Sequence, residues 1–118
     1  MKPGRTGITR IVYATGYSFK GLRAAWQHEA AFRQEIVLTA IMTAISFLLP
    51  VTAVEQLLMI GSLVPVILAE LMNSAIEAVV DRVGSEWHEL SGRAKDIGSA
   101  AVFVTLVFAG FTWLTILI

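Results

Sequence analysis

Glu70, Asn73, Glu77 and Asp81 recur at three- and four-residue steps within AELMNSAIEAVVD, residues 69–81. A helix of 3.6 residues per turn puts all four on one stripe, with Ser74 beside it. The surrounding run is strongly apolar. At bilayer depth a carboxylate costs about 2.5–3.5 kcal/mol on insertion scales, and like charges at 77 and 81 stand at an unfavourable i,i+4 spacing. A bound cation, a proton or a basic partner would each offset this. Carboxylates with an amide, and no thiolate or imidazole, favour a hard cation such as Mg²⁺. A carboxylate below the interface can also take a proton as general base.

Two further polar clusters extend the set. HEAAFRQE, residues 28–35, carries Glu29, Arg33 and Glu35. Glu29 and Arg33 stand at i,i+4 in the favourable order, so a surface ion pair competes with metal binding there. DRVGSEWHELSGRAKD, residues 81–96, brings Lys95 with nearby arginines, which can receive phosphate oxygens. A Mg²⁺ site, basic groups and a base below the interface suit phosphoryl transfer from a nucleotide to a lipid hydroxyl, a reaction carried mostly by positioning and charge neutralisation. The chain has neither a Walker A motif nor a kinase-type Gly-rich loop; Gly84, Gly92 and Gly98 fit neither pattern. On the residues alone, a proton or cation pathway lined by carboxylates stays open beside the enzyme, as does a purely structural membrane subunit.

The elements that must position these residues follow from composition and periodicity. The chain has 118 residues, 56% of them hydrophobic, with a mean hydropathy of +0.72. That is a small all-α membrane protein with a single domain over residues 1–118. Zero formal net charge points away from nucleic acid, and the lack of cysteine excludes disulfides and thiolate metal sites. The N-terminal region lacks the apolar core of a cleavable signal peptide. Residues 1–7, MKPGRTG, read as a loose polar start. Ile8, Ile11, Val12, Phe19, Leu22 and Trp26 then form an apolar stripe opposite Arg10, Lys20, Arg23 and Gln27. This is an amphipathic surface helix over about residues 7–28, on a membrane or packed on protein, with Gly16 and Gly21 as candidate kinks.

Three transmembrane spans are expected after it. The first covers about residues 30–50, since Ile36–Val54 is an uncharged run of nineteen residues. A turn near 50–55 leads to the second, about 55–82, in which Pro65 is tolerated if neighbours satisfy the freed carbonyl. In that span Glu70 lies roughly 21 Å along from Gln56, and Glu77 roughly 10 Å further. A connection over about 83–96 leads to the third span, 97–118, where Trp113 fits an aromatic belt. All nine Lys and Arg fall within residues 2–33 or 82–95. The positive-inside rule therefore sets the N-terminus and the 81–96 loop in the cytoplasm and the C-terminus outside.

GYSFKGLRAAW, EAAFRQE, LMNSAIEAVVD and GSEWHELSGRAKDIGSAAV together resemble the bacterial integral-membrane diacylglycerol kinases, from about Thr6 to the end of the third span. The resemblance implies a homotrimer of subunits with a surface helix and three spans. It implies ATP-dependent phosphorylation of diacylglycerol to phosphatidic acid with Mg²⁺, serving lipid recycling in the inner membrane. By the same resemblance Glu70 is the general base, and Glu29 and Glu77 hold the metal on the ATP phosphates. Asn73 supports the site by hydrogen bonding, or acts as a helix-packing amide. Lys95 would contact the phosphates and Asp96 the ribose, with Arg10, Tyr17, Glu86 and His88 near the nucleotide. Glu35 and Ser99 match positions near the lipid. Position 13 is Tyr where relatives can carry Lys, so Lys95 and Arg10 would serve the phosphates here. An undecaprenol kinase, the activity of Gram-positive relatives, is the rival within the family, because acceptor choice does not follow from the residues. Small residues in GLRAA and GSAA suit close helix contact, and a site shielded by neighbouring subunits would keep Glu70 and Glu77 from lipid.

Overall fold

A computed structural model describes residues 6–84 and 86–118. The first five residues of the polar start, and Ser85, lie outside the described residues. The described chain is helical: α1 Gly7–His28, α2 Ala30–Leu48, α3 Ala53–Gly61, α4 Val64–Val83 and α5 Glu89–Leu117. Three stretches, Ala30–Leu48, Ala53–Val83 and Glu89–Leu117, are long and apolar enough to cross a membrane. They bundle with α4 against α5 as the most extensive seam and α2 against both α3 and α4.

α1 runs unbroken through Gly16 and Gly21, so neither glycine kinks it into two helices. Ala25 is its one buried residue among those described. The joint to α2 is Glu29, whose φ of −117° and ψ of 104° are extended. Arg33 secures that joint. Its Nη1 donates to the carbonyls of Trp26 at 2.7 Å and Gln27 at 3.4 Å, closing part of the last turn of α1, where intrahelical donors run out. The Glu29–Arg33 ion pair allowed by the spacing is therefore not formed; the guanidinium is used on backbone oxygens instead.

The turn after α2 is fixed by a capping box. The Thr52 hydroxyl accepts from the Glu55 N–H at 3.1 Å, and Glu55 Oε1 accepts from the Thr52 N–H at 2.8 Å. This accounts for a lone acid at that end of the bundle.

The second span is not one helix. α3 ends at Gly61 and α4 begins at Val64, with Pro65 in its first turn, where a missing N–H removes no intrahelical bond. The break leaves a carbonyl behind. In a continuous helix the Leu63 N–H would pair with Met59; here it pairs with Ile60 at 3.0 Å. The Met59 carbonyl instead accepts from the Ser62 hydroxyl at 2.7 Å and from Trp113 Nε1–H at 3.0 Å. Trp113 is 6% exposed and packs in a cluster with Met59, Leu63, Val66 and Ala109. The aromatic-belt expectation for Trp113 is thus corrected: its amphipathic ring sits inside the bundle, the indole N–H meeting a buried acceptor and the rings filling the core.

α5 begins at Glu89, earlier than the expected span, so the connection narrows to residues 84–88 and Lys95 and Asp96 lie on helix rather than loop. His88 is its N-cap, Nδ1 accepting from the Leu90 N–H at 3.1 Å.

Candidate active site

Glu70 is the buried acid of the described chain, 7% exposed, on the face of α4 that meets its neighbours. Glu35 from α2, Glu77 one further stretch along α4, and Glu29 at the α1–α2 joint all lie within electrostatic reach of it. Glu29, Glu35 and Glu77 are each half-buried. Four carboxylates from three segments thus gather at the end of the bundle where α1 joins. Glu77 is also within reach of Lys95 on α5.

Lys95 has a partner already. Its Nζ stands 2.8 Å from Asp81 Oδ1, across the seam between the end of α4 and the start of α5. The two line a cleft of about 440 Å³ with Glu86, Trp87, His88 and Gly92. The N-terminus of α5, capped at Leu90 N–H by His88, opens at the same place, where a helix favours anions. Asp96 faces a separate shallow surface with Trp87, Glu89 and Arg93; Arg93 and Glu89 make an ion pair there at 3.7 Å. A second cleft, about 660 Å³, lies between α1 and α4 and is lined by Ser18, His28, Glu29, Leu71, Ser74 and Ala78 among others.

Asn73 occupies the seam between α4 and α5. Its Oδ1 is buried without a hydrogen-bond donor among the described residues. Arg10 and Tyr17 lie exposed on α1. The Tyr17 ring is near Tyr13, with centroids 6.4 Å apart, and Lys20 Nζ stands 5.9 Å from its centroid. Neither Arg10 nor Tyr17 lines the two clefts. Ser99 is exposed on α5.

Among the described residues, no three His, Cys, Asp or Glu side chains converge as a complete protein-only metal site. Glu29 and Glu77 offer carboxylate oxygens alone. That donor set fits a hard cation that takes its remaining ligands from phosphate and water, as Mg²⁺ does.

A family model described as prokaryotic diacylglycerol kinase matches residues 16–117. The chain belongs to the prokaryotic diacylglycerol kinase family. It is 56% identical over 117 residues to the diacylglycerol kinase of Escherichia coli K12, covering 99% of this chain and 96% of that protein. It is 50% identical over 108 residues to the diacylglycerol kinase of Haemophilus influenzae, covering 92% of each chain. To the diacylglycerol kinase of Helicobacter pylori J99 it is 37% identical over 111 residues, covering 94% of this chain and 87% of that one.

For this member of the prokaryotic diacylglycerol kinase family, sequence reasoning missed the placement of four residues. Asp81 was visible on the acidic stripe, but its pairing with Lys95 is a contact between helices that spacing does not encode. Gly98 carried a signal only as a small residue in GSAA. Ser74 and Ala78 line the α1–α4 cleft with Leu71 and Ala75, on the face of α4 next to the stripe that carries Glu70 and Glu77.

Proposed function

We propose that this protein transfers the γ-phosphoryl group of ATP to the free hydroxyl of diacylglycerol, giving phosphatidic acid and ADP. The observation that carries this reading is the burial of Glu70 among Glu29, Glu35 and Glu77, in a chain of this family. Glu70 takes the hydroxyl proton. The freed oxygen forms a bond to the γ-phosphorus, and the bond to the β-phosphate oxygen breaks with its electron pair leaving on ADP. Glu29 and Glu77 hold Mg²⁺, which supplies charge neutralisation on the phosphate oxygens when bound. Lys95 adds a cation on the same side, beside the α5 N-terminus, with Glu86 and His88 around the nucleotide. Asp96 serves the ribose, Asn73 supports the base and metal carboxylates, and Glu35 and Ser99 stand toward the lipid.

The bundle lies in the cell inner membrane with α1 amphipathic on the cytoplasmic surface, the 84–88 connection cytoplasmic and the C-terminus periplasmic. Three copies assemble, and Arg10 and Tyr17 reach a site they do not line within their own chain. The activity serves recycling of the lipid into phospholipid synthesis.

The test is ADP release in mixed micelles with Mg-ATP and diacylglycerol, beside Glu70→Gln. Release needing both lipid and Mg²⁺, reduced by about 10³ or more in the variant as expected for loss of a base acting in the transition state, supports the reading. Release with undecaprenol but not diacylglycerol keeps the mechanism and changes the acceptor. No release with either lipid from folded protein refutes it.

A further inference from the structure

Asn73 and Gly98 meet at one point of the α4–α5 seam. Gly98 is buried. A Cβ added there would collide with Asn73 Oδ1, and would also stand 3.2 Å from Asn73 Cγ and 3.7 Å from Ile76 Cδ1. The amide oxygen of Asn73 therefore fills the space that any side chain at 98 would need. This is the same oxygen that is buried without a donor among the described residues. The arrangement is therefore held by the packing of the seam and not by a hydrogen bond.

Asn73 stands one turn from Glu70 and one turn from Glu77 on the same stripe. An asparagine amide on an open helix face swings about its terminal torsion, which has broad minima. In the Gly98 slot it cannot. With Oδ1 in the seam, covalent geometry turns the two N–H donors of the planar amide away from the slot. We infer that Gly98 is a positioning residue for the phosphoryl-transfer site: its missing side chain creates the slot that fixes the Asn73 amide between the Glu70 and Glu77 carboxylates. Space at position 98 and amide orientation at position 73 are then one property. The inference rests on the kinase reading for its activity readout, but the coupling between the two residues does not.

A four-protein cycle tests it: wild type, Gly98→Ala, Asn73→Ala and the double variant, each assayed for kcat and for KM toward Mg-ATP and diacylglycerol, and melted in micelles. In the otherwise native chain Gly98→Ala is expected to lower kcat by roughly tenfold or more with both KM values within about twofold, the pattern of an interaction made mainly in the transition state. In the Asn73→Ala background the slot is empty. There the same substitution should change kcat by less than about twofold, the non-additivity expected of residues in contact. Its effect on the melting midpoint should likewise vanish, which keeps the cycle readable if Gly98→Ala alone folds poorly. An equal loss from Gly98→Ala in both backgrounds, or no loss in either, overturns the inference. A wild type without lipid-dependent ADP release defeats the kinase reading alone, and the melting limb still decides the coupling.

Discussion

Lys95 and His88 each do a local structural task that their residue types did not announce. The Lys95–Asp81 pair at 2.8 Å is 43% and 67% exposed on its two side chains, and solvent screening leaves an exposed pair of this kind little weight in stability. Asp81 therefore holds the ammonium in place more than it holds the fold together. Asp81→Asn is expected to leave the midpoint of micelle denaturation nearly unchanged. Lys95→Met, by contrast, is expected to cut ADP release by about a hundredfold, since a phosphate-binding cation acts where charge moves. Equal and small effects of both substitutions on rate would remove Lys95 from the site. His88 caps α5 through Nδ1. His88→Ala should cost about 1 kcal/mol and His88→Asn much less, because Asn is a good N-cap and Ala a poor one; thermal melts of the pair decide it. At this scale the acidic stripe was legible because 3.6-residue spacing survives any tertiary arrangement. The Asp81 partner of Lys95 and the Arg33 contacts to α1 were not, because each depends on how two helices meet.

Helix content was legible from apolar run lengths, and the departures have specific causes. Polar residues in ELSGRAKD mark an interface, and polarity alone does not end a helix. Nothing there stops one: Gly92 weakens a helix by about 1 kcal/mol without ending it, and α5 starts at its His88 cap. Pro65 looks the same in sequence whether it kinks a continuous helix or opens a new one. The structure opens a new one, and Trp113 satisfies the result. Trp113→Phe keeps most of the ring volume and removes the N–H, leaving Met59 the Ser62 hydroxyl as donor, so it should destabilise by about 0.5–1.5 kcal/mol, the net contribution of one hydrogen bond. Replacing Pro65 by Leu restores the option of a Leu63-to-Met59 bond. In that background Trp113→Phe should cost less, as a double-mutant cycle measured by denaturation in micelles would register. Identical costs in both backgrounds would mean that Trp113 acts through packing alone.

α1 is exposed along its length except at Ala25, and Arg10 and Tyr17 stand on it away from both clefts. In the proposed trimer these residues serve a neighbour. Mixing Arg10→Ala subunits with Glu70→Gln subunits, each inactive alone, should then return a fraction of wild-type ADP release. Mixtures that stay inactive, with exchange shown by mass measurement, would place each site within one chain. Membership of the family was legible at this scale, since the matching segments run through most of the chain. The way subunits share a site was not, because one sequence specifies every copy alike.

The broken second span also bears on how the chain is made. α3 has nine residues and rises only about 14 Å, less than half of a hydrocarbon core of about 30 Å. Its carbonyl at Met59, left free by the break, finds its indole donor fifty-four positions downstream. A chain still emerging from the ribosome has α3 and α4 in place before Trp113 exists. Until the last helix arrives, Met59 has only the Ser62 hydroxyl to rely on in a solvent that offers no hydrogen bonds. Completion of the second span's hydrogen bonding therefore waits for Trp113 to be translated. A protein shortened just before Trp113 would leave its second span unfinished, though every residue of that span was present.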